Sequence, residues 1–139
     1  VGCAKGFMLF DILRLIPDIY VRGLDISAYA IEQAMPEMKP YLTEGNATDL
    51  PYEDDAFDLV ISINTLHNLE SAALARAFSE VTRVSRQHTF ITVDAFRNPE
   101  EQEAMLAWNL TAKTIKSIDD WRAYFTEVGY AGDFYWFMP

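Results

Sequence analysis

The run of residues 57–64 (FDLVISIN) constrains the fold more than any other part of this sequence, because it is almost continuously apolar. A run of this kind is typical of a central strand in a parallel sheet, where helices cover both faces. Shorter runs with strand character occupy residues 19–24, 41–43, 89–95 and 133–138. The sequence therefore predicts a fold that is built on several short strands.

Helix signals separate these strands. Residues 7–16 (FMLFDILRLI) form an apolar run that stops at Pro17, and its length favours a buried helix over a strand. After Ser71, apolar side chains recur at helical spacing on one face: Leu74, Phe78, Val81 and Val84. Three polar residues are predicted to cap the N-termini of other helices: Ser27, Asn98 and Ser117.

Strands that alternate with helices imply right-handed crossovers and an α/β fold. We expect a Rossmann-like, doubly wound, mostly parallel sheet with helices on both faces. Ligands of such sheets bind at the carboxyl ends of the strands. Small or polar residues stand at these ends, and we expect them to form one site: residues 2–6, Asp25, Asn46, residues 64–67 and Asp94.

The charge of the chain limits its partners. The formal net charge is -10, and the 11 Lys and Arg residues are scattered along the sequence. An acidic surface repels the phosphates of nucleic acids and of anionic membranes. We therefore expect neither nucleic acid nor a membrane as the main partner.

Cys3 is the single cysteine, so the chain can form neither an internal disulfide nor a cysteine cluster for a metal ion. We expect no metal site and a reducing, cytoplasmic setting. Cys3 itself is expected to be a small buried residue and not a nucleophile.

The 139 residues are enough for one domain with a core and too few for two. Val1 stands directly before the turn of residues 2–6, so the strand that feeds this turn would have to precede Val1. We expect residues 1–139 to be a single domain that lacks its N-terminal strand and helix.

Taken in order, these segments resemble the class I S-adenosylmethionine (SAM)-dependent methyltransferases, in particular the small-molecule type with a GxGxG loop. Residues 2–6 correspond to that loop, with Ala4 in place of its middle glycine, and Asp25 corresponds to the acid after the second strand. Other segments are similar to further motifs of the family: residues 45–51 to Gly-Asp-Ala…Leu-Pro, 57–60 to its fourth strand, 66–69 to Leu-His-His-Leu, and 121–130 to its last helix. The resemblance covers nearly the whole chain.

The resemblance implies SAM as the cofactor and assigns the cofactor contacts to nine residues: Gly2, Cys3, Ala4, Gly6, Asp25, Ile26, Asn46, Ala47 and Asn64. Asp25 would accept hydrogen bonds from the ribose hydroxyls. Asn46 stands where the family usually has an Asp that contacts the adenine. The backbone carbonyl of Asn64 would accept a hydrogen bond from the ammonium group of SAM.

His67 has two interpretations. It can be a general base for a hydroxyl or an amine, because the pKa of an unperturbed histidine lies near neutrality. It can equally be a structural residue that packs under the cofactor. We treat His67 as the catalytic and substrate-binding candidate, and Trp108 as a second substrate-binding candidate, because this family often builds its substrate pocket in that segment. His88 is expected to be structural.

Our leading hypothesis is a methyltransferase that acts on a small molecule, such as a sugar or another biosynthetic intermediate; a homodimer is left open. A non-catalytic methyltransferase-like domain that binds SAM or a partner protein is the alternative. A nicotinamide-dependent Rossmann enzyme is disfavoured. Its fingerprint places two residues between the last two glycines, whereas one residue separates Ala4 from Gly6.

Overall fold

The computed structural model describes residues 1–138. In chain order the elements are α1 (Phe7–Leu15), β1 (Gly23–Asp25), α2 (Ala28–Glu32), β2 (Leu42–Glu44), β3 (Phe57–Ile63), α3 (Ser71–Arg83), β4 (Ser85–Phe96), α4 (Pro99–Trp108), β5 (Lys116–Ser117), α5 (Ile118–Glu127) and β6 (Asp133–Phe137). Short 3-10 turns occupy Lys39–Tyr41 and Leu66–Asn68. This alternation of helices and strands confirms the predicted α/β class.

The strands form two groups, and every strand pairing within residues 1–138 is parallel. β1 pairs with β2, while β4 pairs with β3, β5 and β6. The first residues of the chain connect the groups: the Val1 amino group donates to the Ile61 carbonyl at 2.7 Å, and the Gly2 N–H donates to the Leu24 carbonyl at 2.7 Å. The expected sheet is therefore divided between β1 and β3.

The predicted helix boundaries follow local capping chemistry. Ser27, Asn98 and Ser117 each accept a hydrogen bond from the backbone N–H three residues further on, which confirms all three predicted N-caps. Gly129 follows α5 with a φ of 70°, in the left-handed region that glycine adopts without steric cost. Side-chain capping therefore sets the start of α2, α4 and α5, and a glycine follows the end of α5.

The main core lies between the β3–β4–β6 sheet and the helices α3 and α5. The predicted apolar face of α3 is buried there, and Trp121 of α5 is completely buried among aromatic rings. The indole N–H of Trp121 donates to the backbone carbonyl of Asp94 at 2.8 Å. A second, smaller cluster of buried residues lies beside α1 and α2: Ala34, Met38 and Leu42.

Two predictions of burial are wrong. α1 was expected to be buried, yet Phe7 is 60% and Leu15 is 82% exposed, because only one side of this helix meets the smaller cluster. β3 was expected to be covered on both faces, yet Leu59 is 51% exposed. β3 pairs with β4 on one side only and borders the gap between the two strand groups on the other, so it lacks the cover of a central strand.

Candidate functional site

The turn of residues 2–6 has a backbone that few sequences can adopt. Gly2, Ala4 and Gly6 have φ angles of 74°, 47° and 79°, all in the left-handed region. A Cβ at Gly2 would lie 2.0 Å from the Thr65 Oγ1 atom, so this position must be glycine to pack against Thr65. α1 begins directly after Gly6, which leaves the N–H groups of its first turn without a capping side chain.

Asp25 is held at the end of β1 by two backbone groups. Its Oδ2 atom accepts from the Ala4 N–H at 2.7 Å, and its Oδ1 atom accepts from the Ser27 N–H at 2.9 Å. The carboxylate is half-buried, and each of its oxygens keeps further capacity to accept a hydrogen bond. The turn and the acid are therefore one assembled unit that could take the hydroxyl groups of a ribose.

Ile26, Asn46 and Ala47 lie beside this unit. The Gly45 N–H donates to the Asp25 carbonyl at 2.9 Å, which joins the end of β2 to the end of β1. Asn46 is exposed, and its Oδ1 atom accepts from the Thr48 N–H at 3.0 Å. Ala47 is half-buried, and Ile26 is 69% exposed beside Asp25, so an apolar surface is available to a planar base.

Cys3 and Lys5 fill the remaining positions of the turn. Both are half-buried. Burial raises the pKa of the Cys3 thiol to about 11, so the thiol is protonated at neutral pH and is not a nucleophile.

Asn64 ends β3 with its side chain tied to β4. Its φ is 48°, and its Oδ1 atom accepts from the Thr92 hydroxyl at 2.6 Å. Its N–H donates to the same Thr92 Oγ1 atom at 2.8 Å. These bonds fix the turn after β3, and thereby the position of the residues that follow it.

His67 and Asp94 form a buried pair beyond this turn. They are 3% and 2% exposed. The Nδ1 atom of His67 accepts from the Asp94 N–H at 3.2 Å, and its Nε2 atom lies 3.6 Å from the Asp94 Oδ2 atom. Burial lowers the pKa of His67 and raises the pKa of Asp94, because desolvation disfavours the charged form of each group.

A cavity of about 170 Å³ opens next to this pair. We call it the His67 cavity, and its lining residues are Asn64, His67, Asp94, Trp108, Asn109, Leu110 and Thr111. Both residues that were predicted to meet a substrate, His67 and Trp108, therefore line one space. His88 is exposed and lies outside it.

Asp94 stands at a predicted strand end, but the sequence alone assigns it no role. The sequence feature that could have identified it is an acid inside the apolar run 89–95, because a buried acid is almost always paired with another group. Thr92, which holds Asn64, was missed altogether, because a threonine inside a strand is unremarkable in composition.

The residues that the resemblance selected fit a nucleoside cofactor. Asp25 offers a fixed carboxylate, the turn offers a backbone without bulky side chains, and Ile26 offers an apolar surface.

No helix within residues 1–138 is long and apolar enough to cross a membrane.

Comparison with known proteins identifies relatives of the chain. A demethylmenaquinone methyltransferase of Symbiobacterium thermophilum is 32% identical over 130 residues, which are 87% of this chain and 51% of that protein. A malonyl-[acyl-carrier protein] O-methyltransferase of Legionella pneumophila is 26% identical over 113 residues, which are 78% of this chain and 39% of that protein. The chain thus spans about half or less of the length of these relatives.

Solved structures show the same fold. The complex of the Haloferax volcanii Trm112 methyltransferase activator with its methyltransferase contains a chain that matches with a TM-score of 0.70 at 22% identity, over 92% of this chain and 58% of that one. A protein of Methanococcus maripaludis, described as an S-adenosyl-L-methionine-dependent methyltransferase, matches with a TM-score of 0.57 at 22% identity, over 91% of this chain and 57% of that one.

Residues 1–93 match the family model that is described as a methyltransferase domain. This match covers well over half of the 139 residues. The chain therefore belongs to the methyltransferase domain family, and SAM is the cofactor of this family.

Proposed function

We propose that the full-length protein is a SAM-dependent methyltransferase that acts on a small-molecule acceptor. One observation carries the proposal: the assembled turn and Asp25 lie on the same side of the fold as the His67 cavity, with Gly2 packed against Thr65 between them. A cofactor held by the first unit would border the space formed by the second.

The cofactor-binding roles follow from the chemistry of each position. Asp25 accepts the ribose hydroxyls, Ile26 and Ala47 pack against the adenine, and Asn46 takes its amino group. The turn lets the backbone approach the cofactor, and the Asn64 carbonyl takes its ammonium group. Bound SAM supplies an electrophilic methyl group on a positively charged sulfur. The protein's task is then to align an acceptor with it, and orientation of this kind can contribute about 7–11 kcal/mol.

A small acceptor suits the dimensions and charge of the site. The His67 cavity has a volume of about 170 Å³, and the chain carries a net charge of -10. The names of the relatives do not define the acceptor, because the compounds in them range from demethylmenaquinone to ajmaline and to tRNA carboxymethyluridine. A sugar or a biosynthetic intermediate, acting in the cytoplasm, stays our prediction.

The divided sheet supports the expected domain organisation. A slot of about 260 Å³ lies between β1 and β3, and its lining is mainly apolar, including Ile12, Leu24, Val60 and Val84. We propose that a strand that precedes Val1 in the full-length protein fills this slot and pairs with both neighbours. It would join the two strand groups and fix the turn that receives the cofactor.

Calorimetry with S-adenosylhomocysteine tests both proposals. We expect the full-length protein to bind it more tightly than residues 1–139 alone, because the added strand would order the turn. Equal affinities would show that the slot needs no further strand. The absence of binding by the full-length protein would contradict the proposed function.

A non-catalytic domain that binds a partner protein is the second candidate. The exposed apolar side chains of α1 favour it, and one protein of similar fold was solved in complex with an activator. Formation of a methylated product from a pool of small-molecule acceptors would exclude this candidate. Its absence, together with binding of S-adenosylhomocysteine, would favour it.

A further inference from the structure

The hydrogen bonds of His67 leave it poorly suited to take a proton from an acceptor. Its Nδ1 atom already accepts from the Asp94 N–H at 3.2 Å, so the proton of the neutral ring is on Nε2. Nε2 lies 3.6 Å from Asp94 Oδ2, which is an electrostatic contact too long for a hydrogen bond. The ring has no lone pair left for a ligand in the His67 cavity unless the hydrogen bond to Nδ1 breaks.

The backbone of His67 is also committed. Its carbonyl accepts from the N–H groups of Lys113 and Thr114 at 3.0 and 2.9 Å, which holds the segment that follows the cavity wall. Hydrogen bonds therefore hold both the ring and the backbone of His67, as in a residue that positions its neighbours.

The backbone of Asp94 is also held by hydrogen bonds, but one oxygen of its carboxylate lacks a hydrogen-bond donor. Its N–H is bonded to His67, and its carbonyl accepts from the Trp121 indole. Oδ2 faces His67, whereas the buried Oδ1 atom has no hydrogen-bond partner within residues 1–138. A buried carboxylate oxygen without a hydrogen-bond donor costs free energy. A ligand that donates a hydrogen bond to Oδ1 would remove this cost and bind more tightly for that reason.

The surroundings of Asp94 define which ligand that is. The seven residues that line the cavity include no Lys or Arg in the part of the chain described by the structure, so an anionic ligand would meet Asp94 without a compensating charge. Trp108 adds an aromatic surface. The volume of about 170 Å³ is similar to that of a cavity that holds one benzene ring.

We propose that Asp94, through Oδ1, binds the hydroxyl or amine of the methyl acceptor, and that His67 is a positioning residue that holds Oδ2. The acceptor class is then a neutral or cationic hydrogen-bond donor whose reactive end is about the size of one ring, and carboxylates are excluded. This inference rests on the proposed function, because it concerns the acceptor side of the same site.

Three one-ring probes separate the features of the acceptor: phenol, which donates a hydrogen bond, anisole, which does not, and benzoate, which is an anion. Binding to the full-length protein is measured by ligand-observed NMR at pH 8 with S-adenosylhomocysteine present. We expect phenol to bind at least tenfold more tightly than anisole, and benzoate not to bind. Equal binding of phenol and anisole would overturn the proposal, and this comparison needs no variant.

Variants then assign the effect to Asp94. Asp94→Asn should remove the preference for phenol. When the amide oxygen of the new Asn faces His67, its NH2 group stands in the place of Oδ1 and cannot accept a hydrogen bond from the phenol hydroxyl. Asp119→Asn is the matched control at a side chain that is 93% exposed, and it should change nothing. His67→Gln keeps an N–H for Oδ2 and should retain the preference, whereas His67→Leu should weaken it. A preference that survives in Asp94→Asn would overturn the assignment.

Calorimetry with S-adenosylhomocysteine on the same samples keeps the two proposals apart. Unchanged cofactor binding with a lost phenol preference in Asp94→Asn supports the role of Asp94. Loss of cofactor binding in the unmodified protein would contradict the proposed function, whatever the probes do.

Discussion

The two parts of this molecule are packed very differently. In residues 57–138, which we call the C-terminal part, aromatic rings pack inside one continuous core: the ring centroids of Trp121 and Phe125 lie 5.6 Å apart, and those of Phe78 and Tyr130 lie 5.1 Å apart. Residues 1–50, the N-terminal part, contribute Leu24 and Leu50 to that core, and their own buried cluster consists of Ala34, Met38 and Leu42. Every side chain of α1 there is exposed or half-buried.

This difference divides the candidate site. The turn, Asp25 and Asn46 belong to the N-terminal part, so all the proposed cofactor contacts except Asn64 rest on the weaker packing. His67, Asp94 and the cavity beside them belong to the C-terminal part. We expect the acceptor side to be preformed, and the cofactor side to gain order when its ligand or a further strand is present.

Replacement of Trp121 by Ala should have the largest effect on stability. It leaves a cavity in the main core and removes the donor to the Asp94 carbonyl, so we expect a loss of about 3–5 kcal/mol. Met38→Ala probes the smaller cluster and should cost about 2 kcal/mol, since its surroundings can relax. Urea unfolding of residues 1–139 measures both. A larger loss for Met38→Ala would reverse the comparison.

The C-terminal part was the easier one to predict from the sequence. β3 follows a nearly continuous apolar run, α3 follows a periodic one, and the caps at Asn98 and Ser117 use side chains whose bonding is local. The burial of α1 could not be predicted in the same way. An apolar run shows that a helix has faces to cover, but whether anything covers them depends on distant elements, here the gap between β1 and β3.

The same distinction holds for the site. Asp25 and the His67 segment could be selected because each follows a strand, and strand ends meet at one edge. The turn of residues 2–6 could be selected from its glycines and its place directly before α1. The hydrogen bond from the Asp94 N–H to His67 Nδ1 and the unpartnered Oδ1 atom could not be predicted. They depend on the register of β4 against the turn after β3, which sequence patterns do not define.

Replacement of Asp25 by Asn tests the cofactor side of the comparison. The amide can no longer accept at both oxygens, so the bond from either the Ala4 or the Ser27 N–H is lost, together with a charged acceptor for the ribose. We expect S-adenosylhomocysteine to bind the full-length variant roughly 10- to 100-fold more weakly. Glu44→Gln, at the exposed end of β2, is the control and should bind normally. An unchanged Kd for Asp25→Asn would remove Asp25 from the site.

Glu80 couples the two parts, because its carboxylate accepts from the Arg83 guanidinium and from the Leu50 N–H at 2.7 Å. The hydrogen bond from Arg83 lowers the pKa of Glu80 below its ordinary value of 4.5. Since the folded-state pKa is the lower one, the stabilisation is complete above pH 4.5 and is lost as the pH falls through the folded-state pKa.

Glu80→Gln should therefore destabilise the chain by about 1 kcal/mol at pH 7, where exposure to solvent limits the gain from the ion pair. The difference from the unmodified chain should shrink as the pH falls from 5 to 3. Urea unfolding at several pH values measures it, with Glu103→Gln on the exposed face of α4 as the control. A difference that stays constant with pH would assign the effect to packing and not to charge.

Replacement of Leu15 by Ala should have the smallest effect and tests whether α1 is an open surface. Leu15 is 82% exposed, so its truncation should change the stability of residues 1–139 by less than about 0.5 kcal/mol. Leu110→Ala, at a side chain that is 93% exposed in the C-terminal part, is the matched control. Leu15→Ala could instead lower the free energy of unfolding by more than about 1 kcal/mol while the control does not. That result would mean that α1 is covered in solution and that the N-terminal part is better packed than its exposed side chains indicate.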